Sequence, residues 1–191
     1  VWGPERPALV RYDQTWREQA RRLSARVALA AGQYGVGVEH TGSTAIPGIR
    51  AKDVIDLQLA VGSLDDADTI RSALEDAGFP RPPGRWVDRP KPVDPDPAHW
   101  QKRFHGSADP GRTVHLHIRG HGSPAWRCAL LFRDWLRAEP AEAAAYEAEK
   151  MRLASMHETT GAYAEAKEPW FEAALPRAEE WARRVGWSPS P

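Results

Sequence analysis

The sequence has little cysteine, no excess of charge and no long apolar run. Its single cysteine, Cys128, excludes an internal disulfide and a cysteine-rich zinc site. Cys128 lies on an apolar helical pattern, which favours a structural thiol over a nucleophile. The 26 basic and 26 acidic residues balance, so net charge indicates neither a nucleic-acid partner nor an anionic membrane. Because no apolar run long enough to span a bilayer and no apolar signal segment is seen, we expect a cytoplasmic protein.

The elements that are present predict one folded domain over residues 1–191. Hydrophobic residues make up 41% of the chain, which is enough to bury a core. Apolar positions spaced by four and three residues predict a helix over 13–31, and strict alternation predicts a strand over 53–61. Further strands are predicted over 34–41, 100–105 and 113–119, and further helices over 63–77, 124–138, 140–156 and 162–185, the last kinked near Pro169 and Pro176. Together they predict an α/β (α+β) fold, with a small mixed sheet, flanking helices and C-terminal helices of about 123–185 packed on the sheet.

Prolines are concentrated in residues 80–97, where seven of them occur. This density excludes a helix or a central strand and predicts a long surface loop. Such loops often act as lids or binding loops, but an insertion without a function explains the composition equally well. Further on, Asp109-Pro110-Gly111 predicts the tip of a hairpin between the last two strands.

The strand over 53–61 has one aliphatic face and one polar face. Its polar face carries Asp56 and Gln58, and the strand over 113–119 carries His115 and His117 on a single face. If the two strands are neighbours, these four side chains converge. Aspartate together with histidine suits a divalent metal. A solvent-facing side of an antiparallel sheet would produce the same pattern, and this alternative stays open.

Gly42 and Ser43 follow the strand over 34–41 and predict a turn with accessible backbone N–H groups and a hydroxyl. Lys52, between this turn and Asp56, could reach a bound phosphate, or it could simply be a loop lysine. His40 leads into the turn. We consider it a candidate base or metal ligand, with a hydrogen bond to a neighbouring strand as the alternative.

Residues 39–49 read EHTGSTAIPGI, and Lys52 and Asp56 follow. This segment resembles the signature of the GrpB family, relatives of the nucleotidyltransferase superfamily that are also found fused to dephospho-CoA kinase. The likeness covers roughly residues 10–175. It continues in Arg103-Phe104, in residues 114–118 (VHLHI) and 131–137 (LFRDWLR), in Tyr146 with Lys150, and in Tyr163 with Lys167.

The resemblance implies a nucleotidyltransferase-like fold and a metal-assisted phosphate site. Nucleotidyltransferases hold phosphate on a Gly-Ser turn, which Gly42 and Ser43 match, and supply acids from the strands that follow. Asp56 matches the first acid, Gln58 stands in the place of the second, and His115 or His117 stands in the place of the third. Three acids would hold two metal ions. One acid with an amide and an imidazole favours a single divalent ion instead: Mg²⁺, Mn²⁺ or a transition metal.

The resemblance also implies an anion pocket. The cations at the family's positions are Arg103, Arg133, Arg137, Lys150 and Lys167. Arginine suits bidentate contact with phosphate or carboxylate. Ordinary surface ion pairing is the alternative for each of these residues. Together with Lys52, we expect Arg103 and Arg133 to neutralise an anionic substrate.

The predicted function is that of a nucleotidyltransferase-like enzyme acting on a small polar or anionic metabolite. Its catalytic candidates are Asp56, His117 and His40, its metal ligands Asp56, His115 and His117, and its substrate-binding residues Gly42, Ser43, Lys52, Arg103 and Arg133. The expected cofactors are a divalent metal and a nucleoside triphosphate. Two alternatives remain: metal-assisted condensation or cyclisation of a small metabolite, and a non-catalytic nucleotide-binding accessory module. The sequence does not predict an oligomeric state.

Overall fold

The computed structural model describes residues 6–84, 86–107 and 111–189. Its strands are β1 (Gly35–Thr41), β2 (Ile55–Val61), β3 (Arg103–Gly106) and β4 (Val114–Gly120). Its α-helices are α1 (Thr15–Ala31), α2 (Leu64–Thr69), α3 (Arg71–Asp76), α4 (Pro124–Ala138), α5 (Pro140–Met156), α6 (Thr160–Ala166) and α7 (Glu168–Val185). Short 3₁₀ turns occupy Gly32–Tyr34, Ser43–Ala45 and Pro97–Trp100. In the described ranges no helix is both long and apolar enough to cross a bilayer.

The four strands form one mixed sheet in the order β1-β2-β4-β3. β2 and β4 run parallel in the middle, and β1 and β3 pair with them in antiparallel fashion at the two edges. The predicted mixed sheet with flanking helices and extra C-terminal helices is confirmed. A parallel central pair needs a long crossover, which the segment containing α2, α3 and the proline-rich loop provides.

One face of the sheet is aliphatic and packs against the N-terminal helices. Leu57 and Leu59 of β2 are fully buried there, together with Trp16 and Val27 of α1 and Leu74 of α3. Each fully buried aliphatic side chain contributes about 1.5–3 kcal/mol. Because side chains alternate along a strand, burial of this face forces Asp56 and Gln58 onto the other.

The other face is covered in part by α4. Trp126 and Leu130 of α4 pack against Ala60 of β2, and Ser123 caps the helix by accepting from the Trp126 N–H at 3.3 Å. α5 and α7 pack mainly against α4, so they support that helix from behind. Cys128 of α4 is half-buried, and burial raises the pKa of its thiol to about 11, which fits a structural role.

Several predicted boundaries shift in the structure. The helix predicted over 63–77 is two short helices that meet at Ile70, and the one predicted over 162–185 is divided into α6 and α7 at Lys167. Pro169 occupies the first turn of α7, where a missing N–H costs nothing, and Pro176 lies inside α7. β3 begins only at Arg103 because residues 97–100 form a 3₁₀ turn. Of the predicted hairpin tip, Asp109 and Pro110 lie outside the described ranges.

The proline-rich loop runs along the outer edge of β3. Trp86 stacks on Phe104 with ring centroids 4.5 Å apart, and Val87 forms an isolated bridge with Gln101. Farther on, Lys91 pairs with Glu168 at the start of α7. The loop therefore connects β3 to the C-terminal helices and brings its own charged side chains to the polar face.

Candidate functional site

The polar face of the sheet centres on Asp56. In the parallel β2–β4 ladder, Asp56 is the register partner of His115, and Gln58 is the partner of His117. The two strands are thus neighbours, which the sequence had left conditional. This register places both imidazoles beside one carboxylate.

The three side chains lie within metal-binding distance of one another. Oδ1 of Asp56 is 3.2 Å from Nδ1 of His115 and 3.8 Å from Nε2 of His117. One ligand atom from each residue lies within 4.8 Å of the other two, and no second group of this kind occurs in the described ranges. The Asp56 side chain is 27% exposed, so the cluster remains open to a small ligand.

The charge states of Asp56 and His117 suit metal binding. Burial alone would raise the pKa of Asp56, but hydrogen bonds from His115 and His117 outweigh it and hold that pKa well below its usual value. Burial, reinforced by the charge of Lys102, lowers the pKa of His117 to about 3. At neutral pH the carboxylate is therefore ionised and the His117 imidazole is neutral, which are the forms that bind metal.

Gly42 packs directly against Asp56. Its φ is +67° and its ψ is −170°, a conformation that essentially only glycine adopts. A Cβ atom at this position would lie 2.2 Å from Oδ2 of Asp56. Steric reasons therefore require glycine at this position. Its backbone places the start of the turn beside the Asp56 carboxylate.

Ser43 connects the turn to the C-terminal helices. Its Oγ lies 3.3 Å from the hydroxyl of Tyr146 on α5. Burial raises the pKa of Tyr146 to about 12, so the phenol keeps its proton and can donate to Ser43. The turn itself is closed by two backbone hydrogen bonds, from Ala45 N to Gly42 O and from Ile46 N to Ser43 O, each 3.2 Å long.

Lys52 and Lys167 lie over one tyrosine ring. Their Nζ atoms are 6.0 Å and 4.9 Å from the ring centroid of Tyr163. Burial lowers the pKa of both amines, and the charge of Asp56 acts in the opposite direction on each. Lys52 and Lys167, both named from the sequence, thus share one ring and the electrostatic influence of Asp56.

A second set of charges lies behind His117. Lys102 Nζ is 3.2 Å from Nδ1 of His117 and donates to Oδ1 of Asp88 at 2.6 Å. An ammonium group can only donate, so Nδ1 of His117 accepts, and its proton is then assigned to Nε2, which faces Asp56. Arg119 Nε completes the set by donating to the second carboxylate oxygen of Asp88 at 2.7 Å.

Gln58 does not face the open part of the site. It is fully buried, its Oε1 accepts from Arg119 at 2.6 Å, and its Nε2 donates to the carbonyl of Trp126 at 3.2 Å. Both ends of the amide are occupied in holding α4 and β4 together. The position that matches a second acid therefore serves packing here.

His40 is not a member of the cluster, and this corrects its prediction as a catalytic residue. It is the register partner of Leu57, so it lies on the aliphatic side of the sheet. Its Nε2 is 3.0 Å from Oγ1 of Thr44, and Thr44 in turn donates to the carbonyl of Val54. Burial lowers the pKa of His40 to about 4, so a neutral imidazole supports the turn from behind.

Two predicted anion-binding arginines are also engaged elsewhere. Arg103 is the register partner of Ile118 on the aliphatic side, and it forms a bidentate pair with Asp68 at 2.8 and 2.6 Å. Arg133 is buried between Glu39 at 2.5 Å and Asp134 at 2.7 Å. Both predictions are corrected: Arg103 ties β3 to α2, and Arg133 ties α4 to β1.

Sequence reasoning missed Lys102 and Asp88. Lys102 lies two residues before Phe104, which is the register partner of His117, so strand alternation offered a signal for it. Asp88 lies in the irregular proline-rich loop, where no periodicity indicates a direction. Its contact with the site depends on tertiary packing alone.

Comparison with known proteins identifies the family. The GrpB protein family matches residues 6–177. The chain belongs to the GrpB family. It is similar over 91% of its length to the crystal structure of the conserved protein GrpB from Enterococcus faecalis, of which 99% is covered, with a TM-score of 0.72 and 23% sequence identity. That likeness supports the shared fold.

Curated relatives include longer proteins. The chain is 43% identical over 195 residues to the dephospho-CoA kinase of Mycolicibacterium paratuberculosis, a match that covers 95% of this chain and 48% of that protein. It is 36% identical over 169 residues to a UPF0157 protein of Deinococcus radiodurans, covering 86% and 78% of the two. The chain thus spans about half the length of the kinase relative.

Proposed function

We propose that this GrpB family member is a nucleotidyltransferase-like enzyme that acts on a small polar or anionic metabolite with one divalent metal ion and a nucleoside triphosphate. The observation that carries the proposal is the convergence of Asp56, His115 and His117 directly beneath the Gly42-Ser43 turn. The carboxylate suits Mg²⁺ or Mn²⁺, and the two imidazoles favour a transition metal.

Asp56, His115 and His117 would hold the ion. A bound divalent ion would supply Lewis-acid stabilisation of the negative charge that develops on a transferring phosphate. The carboxylate is held by Gly42 on one side and His115 on the other, so its orientation is fixed before any ligand arrives. Such preorganisation is what lets a site favour the transition state over the ground state.

The turn and the neighbouring cations would position the donor phosphates. Ser43 offers a hydroxyl in the turn whose Gly42 packs against Asp56, and Lys52 and Lys167 place two amines over Tyr163. The protein groups on this side are donors, which suits an anionic ligand. The acceptor is proposed to be a small molecule because the chain has no net positive charge for a polymer.

Calorimetry tests the proposal. We expect the wild-type protein to bind Mn²⁺ and to bind ATP, CTP or GTP more tightly with Mn²⁺ or Mg²⁺ than without. Asp56→Asn should abolish metal binding because it removes the one carboxylate of the cluster while keeping its shape. Asp68→Asn is the matched control, since Asp68 pairs with Arg103 on the opposite side of the sheet. Absence of nucleotide binding under all conditions would rule out the proposed transfer.

A second function, metal-assisted chemistry without nucleotidyl transfer, is favoured by the buried amide of Gln58. With Gln58 fully bonded to Arg119 and Trp126, the site holds fewer negative ligands than a two-metal nucleotidyltransferase uses. Tight metal binding without any nucleotide binding would support this second function, a metal-assisted condensation or cyclisation. Nucleotide binding with no turnover across a panel of acceptors would instead indicate an accessory module.

A further inference from the structure

Three lysines surround two tyrosines next to the Asp56 cluster, and we call this group the lysine pocket: Lys52, Lys150, Lys167, Tyr146 and Tyr163. Lys52 and Lys167 lie over Tyr163, as described above. Lys150 lies over Tyr146, with Nζ 4.7 Å from the ring centroid. Each amine is thus held by an aromatic face, a contact that orients a cation without neutralising it.

The carboxylates nearest to the pocket are bound to other partners. Glu147 accepts from the backbone N–H of Arg50 at 2.7 Å, and Glu168 pairs with Lys91 of the proline-rich loop. Within the described ranges, no carboxylate oxygen lies within 4 Å of the Lys150 or Lys167 amine. Lys150 and Lys167 therefore carry positive charge that no described carboxylate neutralises by direct pairing.

This arrangement is costly for the protein on its own. Lys150 is only 1% exposed, and buried cations are ordinarily paired. Burial and the charge of Lys167 lower the pKa of Lys150 to about 7, and burial with the charge of Lys167 lowers the pKa of Lys52 as well. Lysines placed to repel one another indicate that an anion from outside the chain completes the group.

The pocket adjoins the turn. The hydroxyl of Tyr146 lies 3.3 Å from Oγ of Ser43, and the charge of Asp56 acts to raise the pKa of both Lys52 and Lys167. Lys150 donates to the carbonyl of Arg50, and its ammonium group carries two further N–H bonds. The three amines are divided between two rings, Tyr163 and Tyr146.

We propose that the lysine pocket is a subsite for a polyphosphate chain, with Lys52 and Lys167 contacting two successive phosphates and Lys150 reinforcing them from beneath. The inference rests on the proposed function, since it assigns the terminal phosphates of the donor to this pocket. The inference differs from the proposed function because it does not require the metal: the pocket binds inorganic tripolyphosphate or pyrophosphate without a divalent ion.

Calorimetry with inorganic phosphates in EDTA tests the inference. We expect the wild-type protein to bind tripolyphosphate and pyrophosphate more tightly than orthophosphate. Lys167→Met and Lys52→Met should each weaken tripolyphosphate binding about tenfold or more, as expected for the loss of a charge-assisted hydrogen bond. Arg152→Met is the matched control: it removes one cation from α5, but that cation pairs with Glu149 on the exposed side. The control should bind as the wild type does.

The outcomes separate the subsite from the metal site. No tripolyphosphate binding by the wild-type protein in EDTA overturns the subsite, even if Mn²⁺ still binds in an Asp56-dependent manner. Equal weakening by Arg152→Met overturns it too, because the effect would then be one of overall charge. Tripolyphosphate binding that depends on Lys52 and Lys167 and survives Asp56→Asn supports the subsite, whether or not nucleotidyl transfer occurs.

Discussion

A Cβ atom at Gly42 would lie 2.2 Å from Oδ2 of Asp56, so the turn and the carboxylate are sterically coupled. Gly42→Ala must therefore move Asp56 or the turn, and it also places a side chain at a φ of +67°. We expect a loss of about 2–4 kcal/mol in the free energy of unfolding, from backbone strain and overpacking together. Metal affinity should fall at least tenfold because the carboxylate leaves its position.

Gly48→Ala provides the control for this prediction. Gly48 also has a positive φ, +87°, but a Cβ atom there would meet nothing within 4 Å. The control should lose about 1–3 kcal/mol from backbone strain and keep the metal affinity of the wild type. Urea unfolding and Mn²⁺ titration measure both effects. Equal metal affinity in the two variants would show that Gly42 does not position Asp56.

His117, in the middle of β4, and His121, directly after that strand, offer a matched pair of histidines. His117→Ala removes an imidazole 3.8 Å from Oδ1 of Asp56, whereas His121 packs its ring 4.6 Å from Trp126. We expect the first change to weaken Mn²⁺ or Zn²⁺ binding at least tenfold and the second to leave it within about twofold. Calorimetry at pH 7.5 measures both. Similar metal affinities in the two variants would exclude His117 as a ligand.

Strand alternation was enough to predict the polar face. One buried aliphatic face with a period of two leaves Asp56 on the opposite side, and the same rule places His115 and His117 together. Alternation does not determine which strands are neighbours, nor where a strand begins. β3 begins at Arg103 and not at Trp100, so its register against β4 could not be read from the sequence. Arg103 was predicted to line the site because it matches a position of the family, whereas the structure places Lys102 beside His117 and Arg103 on the aliphatic side.

The remaining errors, at Arg133 and Asp88, arise because the sequence does not show which ion pairs a charged side chain forms. An arginine near a predicted site can bind a ligand or a carboxylate of the same chain, and Arg133 takes the second option with Glu39 and Asp134. These partners are distant from the arginine in sequence or adjacent to it, and no pattern indicates which carboxylate will pack there. Asp88 shows the same limit, because it approaches Lys102 from an irregular loop. Such contacts follow from tertiary packing and not from local periodicity.

Lys102 holds the tautomer of His117 that places its proton on Nε2, toward Asp56. Binding of a metal through Nε2 requires that proton to move to Nδ1. The charge of Lys102 opposes both this proton transfer and the approach of the metal cation. We therefore expect Lys102→Met to tighten Mn²⁺ binding about tenfold while Asp88 keeps its pair with Arg119. Lys91→Met, which removes a cation paired with Glu168, is the control and should leave metal affinity unchanged. Weaker metal binding by Lys102→Met would contradict this role.

Lys150 should make the stability of the protein depend on pH in a defined direction. Burial lowers its pKa from 10.5 to about 7 in the folded state. Below pH 7 the amine is charged in both states and the folded state carries the full cost of burying it, whereas above about pH 10.5 it is neutral in both and the cost disappears. The wild type should therefore gain stability from this group between pH 7 and pH 10.

Lys150→Met removes the titrating group. The free energy of unfolding of this variant, relative to that of the wild type, should be greatest near pH 6.5. The difference should fall by a few kcal/mol toward pH 10, at about 1.36 kcal/mol per pH unit. Urea unfolding at pH 6.5, 8 and 9.5 measures this difference, with Arg152→Met as the control from the exposed side of α5. Parallel pH profiles for Lys150→Met and the wild type would show that Lys150 keeps an ordinary pKa in the folded protein.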